Sequence, residues 1–227
     1  MRTISVTGED GEVTGEEDVE RARLLLALRQ RGIRDRAVMR AFEQVPRERF
    51  VEPAMRRVAW RDQALPIDCG QTISQPAVVA LMTQALEIGP EHNVLEIGTG
   101  SGYHAAILAS IARHVVTLER FRTLAQSAAA RLGALGFANV EVIVADGLEG
   151  YAARAPYDRI VLNAALPEVP AALFDQLAPD GILVAPIGPP EETQMLTRYA
   201  RGPGGPERRE LGPVRFVPML PGTATVL

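Results

Sequence analysis

The sequence contains a single cysteine, Cys69, among its 227 residues. One cysteine cannot form a disulfide framework within the chain, and it cannot supply a cysteine-rich zinc site. The three histidines are scattered, without the spacing that metal ligands show. We therefore expect no bound metal, and the low use of cysteine is typical of a reducing compartment.

Basic clusters and long apolar runs are also missing. The net charge is −4, and no run of lysine or arginine indicates a surface for nucleic acid. No apolar segment approaches the roughly 20 residues of a membrane-spanning helix. The N-terminal segment MRTISVTGEDGEVTGEEDVE is acidic and lacks the apolar core of a signal peptide. We expect a cytoplasmic protein that uses neither nucleic acid nor membrane as a partner.

Length and local composition predict one domain after a short tail. Residues 1–16 carry glycine, threonine and acids with almost no apolar side chains, which predicts a flexible acidic tail. Residues 17–227 are enough for a single domain with a full core. We divide this domain into an N-terminal helical and substrate layer at 17–90, a core at 91–190 and a C-terminal hairpin at 191–227.

The N-terminal layer alternates helical patterns with proline-rich segments. Apolar residues recur at a helical period from about Asp18, and a second helix is predicted at Asp35–Gln44. An irregular segment follows, with one short helix near 53–58. Pro76 fits the first turn of a helix predicted at 76–88, because its missing N–H needs no partner there.

Strands and helices alternate through the middle of the chain. The strands are nearly continuous apolar runs, as strands buried on both faces of a parallel sheet require. We predict strands at Val94–Gly98, Val115–Glu119, Val140–Ala145, Arg159–Ala164 and Ile182–Ile187. We predict helices at Tyr103–Ala112, Arg122–Leu135 and Val169–Leu177. The alternation predicts a three-layer α/β fold, with a doubly wound, mostly parallel sheet between two layers of helices.

The last part of the sequence predicts an antiparallel hairpin. The segments TQMLTRYA, from residue 193, and ELGPVRFVPML, from residue 210, both have the character of strands. Between them lies RGPGGPERR, whose glycines and prolines are typical of a turn. We expect this hairpin to extend one edge of the sheet.

The segment LEIGTGSGY at 95–103 places Gly98, Gly100 and Gly102 between a predicted strand and a predicted helix. Glycine permits a positive φ and lets a ligand approach the backbone closely. The N–H groups at the start of the following helix favour negative charge. A tight turn of small residues, made for packing alone, is the alternative interpretation.

Two further strand ends carry acids. Glu119 ends the second strand, where a carboxylate can accept both hydroxyls of a ribose. Asp146 and Gly147 follow the third strand, where a carboxylate can accept from the amino group of adenine. Taken singly, Glu119 could be a solvated charge and Asp146 a turn or helix cap. Together with the glycine loop, they predict a nucleoside pocket at the carboxyl ends of neighbouring strands.

The form of the loop narrows the choice of nucleoside. Dinucleotide-binding loops prefer G-x-G-x-x-G, whereas this loop is G-x-G-x-G and follows an acid, Glu96. A carboxylate near the loop would serve a pyrophosphate poorly and a cationic ligand well. S-adenosylmethionine combines adenosine with a sulfonium and an ammonium group. We therefore hypothesise that it is the ligand of this pocket.

Five segments together resemble the protein-L-isoaspartate O-methyltransferase family, namely LPIDCGQTISQPAVVALMTQAL, VLEIGTGSGYHAAILA, VIVADG, APYDRIVLNAALPEVP and VRFVPML. The likeness runs from about residue 20 to about residue 220, in matching order and spacing. Many methyltransferases share the glycine loop, whereas GQTISQP and VRFVPML are much more specific. The resemblance implies a class I methyltransferase with a seven-stranded sheet, an N-terminal helical layer and a terminal hairpin.

The resemblance also implies a reaction. A methyl group passes from S-adenosylmethionine to the free α-carboxyl of an L-isoaspartyl residue in a damaged protein or peptide, leaving S-adenosylhomocysteine. The methyl ester closes to a succinimide without the enzyme, and part of it reopens as normal aspartate. The residues expected to bind the cofactor are Glu96, Gly98, Thr99, Gly100, Ser101, Gly102, Glu119, Asp146 and Gly147.

The acceptor side of the reaction is assigned by the same resemblance. The family's active-site serine matches Ser74, and Thr72 and Ile73 belong to the same substrate-facing segment. Asn163 stands where many relatives carry threonine, and we expect it to contact substrate because it can still donate a hydrogen bond. A carboxylate with a pKa of about 4 is already a nucleophile at pH 7, so Ser74 would position it rather than attack. From spacing alone, Ser74 fits an N-cap of the helix at Pro76.

Three other residues receive structural interpretations. Cys69 has no histidine near it in sequence, so we expect a packed or partly exposed thiol without a catalytic role. His104 follows the glycine loop, and we expect it at the surface, with a place beside the cofactor as the alternative. Trp60 is expected in the core of the N-terminal layer.

Two other functions stay open at this stage. A relative of the same family could methylate a dedicated peptide or another small acid, although the intact GQTISQP segment counts against this. A nucleoside-binding module without catalysis is the other alternative, against which the intact Ser74 segment counts. We expect a monomer that acts on isoaspartyl-containing proteins and peptides.

Overall fold

The computed structural model describes residues 10–189, 191–202 and 205–224. Its first helix, α1 (Asp10–Gln30), begins earlier than the expected start near Asp18. Residues 10–16 therefore lie in a helix, while the flexibility expected of the acidic tail stays a prediction. The rest of the predicted tail, residues 1–9, lies outside the described residues.

The N-terminal layer surrounds one apolar core. Helix α2 (Arg36–Gln44) begins at Asp35, whose side chain accepts from two backbone N–H groups of the first turn. Its buried face packs with α1 and with Trp60, which is buried as predicted. The layer continues through short 3₁₀ helices, a two-residue strand pair and a longer helix. They are Arg47–Phe50, Pro53–Val58, β1 (Leu65–Pro66), Asp68–Gly70, β2 (Thr72–Ile73) and α3 (Pro76–Ala85).

The core alternates strands and helices as the sequence predicts. The next elements are β3 (Asn93–Ile97), α4 (Tyr103–Ala109), β4 (His114–Glu119), α5 (Arg122–Ala134), β5 (Val140–Val144), β6 (Tyr157–Leu162), α6 (Ala171–Asp175), β7 (Leu177–Ile187), β8 (Gln194–Gly202) and β9 (Gly205–Val214). Two short 3₁₀ helices, Gly147–Glu149 and Ala152–Arg154, lie between β5 and β6.

Seven of these strands form one sheet in the order β5-β4-β3-β6-β7-β8-β9. Strands β3 to β7 pair in parallel, and β8 and β9 add antiparallel neighbours at one edge. Helix α4 is buried along its whole length, and the apolar strands are buried from both sides. The predicted three-layer, doubly wound and mostly parallel sheet is confirmed.

The order of strands reverses at β3. Strand β4 lies on one side of it, and β6, from later in the chain, lies on the other. Ligands of open α/β sheets bind outside the carboxyl ends of the strands at such a switch point. The glycine loop leaves β3 at this point, so the topology places the loop where a ligand would bind.

The terminal hairpin is present, but its second strand begins earlier in the sequence than the predicted start at residue 210. Strand β9 begins at Gly205, inside the segment assigned to the turn, and ends at Val214. An edge strand tolerates the prolines that made this segment read as a turn, because their missing N–H groups face no partner. The segment VRFVPML therefore lies mostly beyond the hairpin, apart from its first residue.

Neither a membrane-spanning helix nor a cluster of metal ligands is found in the described part of the chain. No helix there is both long enough and apolar enough to cross a membrane. No group of three or more His, Cys, Asp or Glu side chains among those residues is arranged to hold a metal ion.

Candidate functional site

The glycine loop turns sharply between β3 and α4. Gly98, Gly100 and Gly102 all have positive φ, at 93°, 53° and 87°. The N–H groups of Gly98 and Thr99 both donate to the Leu118 carbonyl, at 2.8 and 3.1 Å, which ties the loop to the neighbouring strand. The backbone of the loop is thus held in a conformation that side-chain-bearing residues rarely adopt.

A cavity at the carboxyl edge of the sheet brings together residues from distant parts of the sequence. Of the predicted site residues, those that line it are Thr72, Ile73, Ser74, Gly98, Gly100, Ser101, Glu119, Gly147 and Asn163. Four predicted cofactor residues are not among its lining residues: Glu96, Thr99, Gly102 and Asp146.

Glu119 is the acid that lines this cavity in the described structure. Its side chain is nearly buried, so the alternative of a solvated charge is wrong. Oε2 accepts from the Gly100 N–H at 2.9 Å, and Oε1 accepts from the Phe121 N–H at 3.0 Å. A carboxylate offers about four acceptor positions, so lone pairs remain for two ligand hydroxyls.

Asp146 caps the turn after β5, which is the structural alternative that the sequence left open. Its Oδ1 accepts from the Leu148 N–H at 2.9 Å, and its Oδ2 accepts from the Gly222 N–H at 2.6 Å. Gly147, beside it, does line the cavity. A Cβ at Gly147 would lie 2.3 Å from Cγ2 of Ile97, so only glycine fits there.

Glu96 lies completely buried beside the glycine loop. Its Oε2 accepts from the Thr117 hydroxyl at 2.5 Å, and its Oε1 accepts from Asn163 Nδ2 at 2.8 Å. Burial raises the pKa of this carboxyl to about 8, although the two hydrogen bonds lower it. A pKa raised this far favours the protonated form at pH 7, and Glu96 is not among the residues that line the cavity, so its selection of a cationic ligand stays a prediction.

His104 is buried, not at the surface as we expected. Its Nδ1 lies 3.0 Å from Asn163 Oδ1, and its Nε2 lies 3.1 Å from the Thr83 hydroxyl. Nδ1 is also 3.8 Å from Oε1 of Glu96. Burial lowers the pKa of His104 to about 4, so the ring is neutral at pH 7. The alternative is correct in one respect, because His104 lines the cavity.

Asn163 follows β6 and is already bonded within the protein. Its Nδ2 donates both to Glu96 Oε1 and to the Gly98 carbonyl, at 2.8 and 3.1 Å. An amide nitrogen has only two hydrogens. The expectation that Asn163 has a donor left for the substrate is therefore wrong, and its contribution is to the shape of the cavity wall.

Ser74 does not cap α3. Gln75 is the N-cap residue, and its side chain makes no capping bond. The Asp62 carboxylate serves the helix instead, because Oδ1 accepts from the Ala77 N–H at 2.8 Å and Oδ2 accepts from Gln75 Nε2 at 3.0 Å. The structure gives the Ser74 hydroxyl no partner among the described residues.

Arg47 supports the Ser74 segment and was not predicted from the sequence. Its guanidinium is fully buried. Nη2 donates to the Ser74 carbonyl and Nε to the Ala59 carbonyl, both at 2.8 Å. The cation also lies over the ring of Tyr103, the first residue of α4, 4.6 Å from its centre. One side chain thus connects the acceptor segment with the helix that follows the glycine loop.

The C-terminal segment VRFVPML forms another part of the cavity wall. The Ala165 N–H donates to the Val217 carbonyl, and the Met219 N–H donates to the Ala165 carbonyl, both at 2.8 Å. Val217, Met219 and neighbouring Leu220 line the cavity. The sequence identifies VRFVPML as specific to the family. Its interpretation as part of a strand did not predict that it lines the cavity.

A second cavity adjoins the first. The residues that line both are Thr72, Ser74, Asn163 and Val217. The second cavity continues toward the terminal hairpin, where Arg215 and Phe216 line it. The predicted acceptor residues thus stand between a cavity bounded by the glycine loop and a cavity that faces away from it.

Cys69 precedes this segment and is partly exposed, as predicted, without a bonded partner cysteine. Burial, followed by the charges of Asp68 and Glu119, raises the pKa of its thiol. A raised pKa disfavours the reactive thiolate. The interpretation of Cys69 as a thiol without a nucleophilic role agrees with this shift.

The sheet order, the antiparallel hairpin and the glycine loop beside a strand-end acid define a class I S-adenosylmethionine-dependent methyltransferase. The family model of protein-L-isoaspartate(D-aspartate) O-methyltransferase (PCMT) matches residues 19–224. The chain belongs to this family.

Individual relatives agree with this assignment. The protein-L-isoaspartate O-methyltransferase of Xanthobacter autotrophicus is 55% identical over 217 residues, which is 96% of this chain and 99% of the relative. A solved protein-L-isoaspartate O-methyltransferase is similar with a TM-score of 0.78 and 28% identity over 87% of this chain and 65% of its own. A putative member from Plasmodium falciparum, solved with S-adenosyl-L-homocysteine, has a TM-score of 0.74 and 26% identity, covering 87% and 97%.

Proposed function

We propose that this protein methylates the α-carboxyl of L-isoaspartyl residues in damaged proteins and peptides, with S-adenosylmethionine as donor. The observation that carries the proposal is the pair of adjoining cavities with a common wall. Ser74 and Asn163 line both cavities and so belong to that wall, whereas the glycine loop lines the first cavity and not the second. Such a wall separates a donor from an acceptor by one side-chain layer.

The first cavity fits the donor. S-adenosylmethionine supplies a methyl group on a positively charged sulfur, which a carboxylate can attack. Glu119 has lone pairs left for the two ribose hydroxyls, and Gly98 and Gly100 allow close approach to the backbone. Phe121 and Gly147 provide apolar surface for the base. Asp146 would reach the amino group of adenine only with lone pairs that its two backbone bonds leave free.

The second cavity fits the acceptor. The isoaspartyl carboxylate needs no general base, because it is ionised at pH 7. It needs in-line approach and a replacement for its water shell. The Ser74 hydroxyl can donate to one carboxylate oxygen while the other is left to attack. Thr72 and Ile73 belong to the two-residue strand before Ser74, which fixes this segment beside the wall.

The steps that follow methyl transfer take place in the methylated substrate itself, without the enzyme. A methyl ester at the isoaspartyl α-carboxyl is a better electrophile than the carboxylate. The neighbouring peptide nitrogen can therefore attack the ester carbonyl and expel methanol, which closes a succinimide without help from the enzyme. Hydrolysis of this ring returns part of it as normal aspartate. The chain is then required only for the methyl transfer.

A pair of peptides tests the proposal. They have one sequence and differ only in carrying an L-isoaspartyl or an L-aspartyl residue, and methyl transfer is measured for both. We expect transfer to the isoaspartyl peptide only. Equal rates on both, or transfer to neither, would contradict it. Tight S-adenosylhomocysteine binding with no transfer would instead identify a nucleoside-binding module, and transfer to an unrelated acid would identify a different carboxylate methyltransferase.

We also propose that the protein acts as a monomer in the cytoplasm, without nucleic acid or membrane as a partner. The single cysteine is typical of a reducing compartment, and the net charge of −4 counts against nucleic acid as a partner. The expectation of a monomer rests on the family resemblance. Sedimentation at several concentrations tests the oligomeric state, and cell fractionation tests the location. A stable dimer or a membrane-bound fraction would contradict the respective part.

A further inference from the structure

A row of hydrogen-bonded polar side chains runs beside the first cavity, from α3 to the glycine loop. Its five contacts measure 3.1, 3.0, 2.8, 2.5 and 2.7 Å. We call it the polar chain, and its members in order are Thr83, His104, Asn163, Glu96, Thr117 and Thr99. Of these six side chains, Asn163 is the one that lines both cavities.

The donors and acceptors of the polar chain fix the state of its histidine. Both hydrogens of Asn163 Nδ2 have acceptors, at Glu96 and at the Gly98 carbonyl. The amide oxygen must then face His104 Nδ1, which has to donate. Nε2 then has to accept, and the Thr83 hydroxyl, which also lies 2.7 Å from the Val79 carbonyl, donates its one hydrogen to Nε2 only by giving up that backbone bond. The neutral ring therefore carries its proton on Nδ1.

We propose that His104 is a positioning residue of the methyl-transfer centre, because its Nδ1–H holds the Asn163 amide in one of two possible orientations. In the other orientation the amide oxygen would face the Gly98 carbonyl, and two acceptors would repel each other. This inference rests on the proposed function, since it gives Asn163 a place in the wall between donor and acceptor.

Asn163 is close enough to the glycine loop for its orientation to matter. Its Nδ2 bonds the Gly98 carbonyl at 3.1 Å, and its Cβ lies 3.3 Å from where a Cβ on Gly98 would be. A turned amide would lose the bond and push on the loop. Because reaction in line depends steeply on alignment, such a shift lowers the rate more than it lowers affinity.

Two substitutions separate the contacts of His104. Asparagine places an amide where Nδ1 lies, so His104→Asn keeps the contact to Asn163 and loses that to Thr83. Glutamine reaches the position of Nε2, so His104→Gln keeps the contact to Thr83 and loses that to Asn163. His104→Leu loses both. His114→Asn, at the amino end of β4 and away from the cavity, is the matched control.

We expect His104→Asn and His114→Asn to keep kcat for the isoaspartyl peptide within about threefold of the parent protein. We expect His104→Gln and His104→Leu to lower kcat about tenfold or more, the scale on which misalignment acts. The dissociation constant of S-adenosylhomocysteine should stay within about threefold for all of them. Equal losses for the asparagine and glutamine variants, or a larger loss for asparagine, would overturn the inference.

The state of the ring supplies a readout that needs no turnover. The chain has three histidines, so nitrogen NMR of the imidazoles can be assigned with single substitutions. At pH 7 we expect His104 to be neutral with its proton on Nδ1, with and without S-adenosylhomocysteine. A proton on Nε2 would overturn the inference while leaving the proposed function intact. If the parent protein does not methylate the peptide, the proposed function fails and the role of His104 in transfer fails with it, whatever the tautomer.

Discussion

Two glutamates at the carboxyl edge of the sheet have different surroundings and different tasks. Glu119 lines the cavity and accepts two backbone N–H bonds, which hold its carboxylate beside the loop. Glu96 is completely buried beside that loop, and this burial raises the pKa of its carboxyl to about 8. The sequence shows an acid at each position, but only the contacts reveal which of them can meet a ligand.

Replacing Glu119 tests its role in the cavity. We expect Glu119→Ala to weaken S-adenosylhomocysteine binding by about 1–3 kcal/mol, the usual loss for a charged hydrogen-bonding group. The loss has two sources, since the ribose hydroxyls lose their acceptor and the Gly100 N–H loses its partner. Titration calorimetry measures the affinity, with Glu91→Ala, an exposed acid, as control. Unchanged affinity would remove Glu119 from the binding site.

Replacing Ser74 tests the acceptor side. We expect Ser74→Ala to lower kcat about 10- to 100-fold, because a hydrogen bond to a charged group contributes roughly 1.5–3 kcal/mol. Affinity for S-adenosylhomocysteine and thermal stability should hardly change, since Asp62 rather than Ser74 caps α3.

Asp62→Ala is the matched variant for the Ser74 experiment. It should lower the free energy of unfolding by about 0.5–2 kcal/mol, as the loss of a helix cap does. A large loss of cofactor affinity in Ser74→Ala would mean that the serine hydroxyl contacts the donor rather than the acceptor.

Residues at strand ends were predictable, whereas buried polar residues inside helices were not. Glu119 ends a predicted strand, so its position follows from topology, whereas the role of Ser74 is implied only by the resemblance to the family. His104, by contrast, is expected at the surface. Its neighbours in YHAAILA are all apolar, however, and α4 is buried on every side. A helix that is apolar all round has no surface face for a polar residue, and that signal was available.

Short elements of the N-terminal layer depend on one charged side chain for their arrangement. Arg47 lies in a 3₁₀ helix of four residues and donates to carbonyls near the end of the next 3₁₀ helix and before α3. Segments this short have few backbone bonds of their own. The guanidinium fork provides several directed donors, which a lysine could not match.

We expect Arg47→Met to lower the free energy of unfolding by at least about 2 kcal/mol, because it leaves buried carbonyls without donors. Arg47→Lys should recover only part of this loss, since one ammonium cannot reach both the Ala59 and the Ser74 carbonyls as the fork does. Urea unfolding measures both. Arg49→Met, exposed and in the same short helix, is the control. A methionine variant as stable as the control would show that the cation is dispensable.

The hairpin shows where element boundaries escape the sequence. Glycines and prolines at 202–206 resemble a turn, yet Gly205 and Pro206 pair with β8. An edge strand needs only one of its sides for pairing, so proline costs little there. Because β9 ends at Val214, the following segment can lie along the carboxyl edge of the sheet, where it lines the first cavity.

At the scale of the whole molecule, the alternation of strands and helices was enough to predict the sheet. Parallel strands joined by helices place their carboxyl ends at one edge, so acids and glycines far apart in sequence had to meet. The polar chain could not be predicted in this way. It depends on side-chain contacts between α3, α4, β3, β4 and the residue after β6, which no periodicity encodes.

The buried pair of Glu96 and His104 links the site to the stability of the whole fold. The folded protein holds one proton on this pair between about pH 4 and pH 8, because the pKa of His104 is lowered to about 4 and that of Glu96 raised to about 8. With ordinary values of 6.5 and 4.5, the unfolded chain holds one proton on the pair between those two pH values and none above 6.5.

The contribution of the pair to stability should therefore be flat from about pH 4.5 to 6.5 and fall as pH rises from 6.5 to 8. Above 6.5 the folded state binds more protons than the unfolded state, so raising the pH favours unfolding, by about 2 kcal/mol over the interval. Urea unfolding across this range, in the parent protein and in Glu96→Gln, isolates the effect as a difference between the two curves.

Glu96→Gln should reverse the pH dependence of the pair rather than merely weaken it. With the carboxyl gone, only His104 titrates, and its lowered pKa means that the unfolded chain binds the extra proton below pH 6.5. The contribution of His104 to the free energy of unfolding should then be flat above pH 6.5 and should fall as pH drops toward 4. Parallel curves for the two proteins would show that Glu96 is ionised in the folded state, and that the proton assigned to the buried pair is not there.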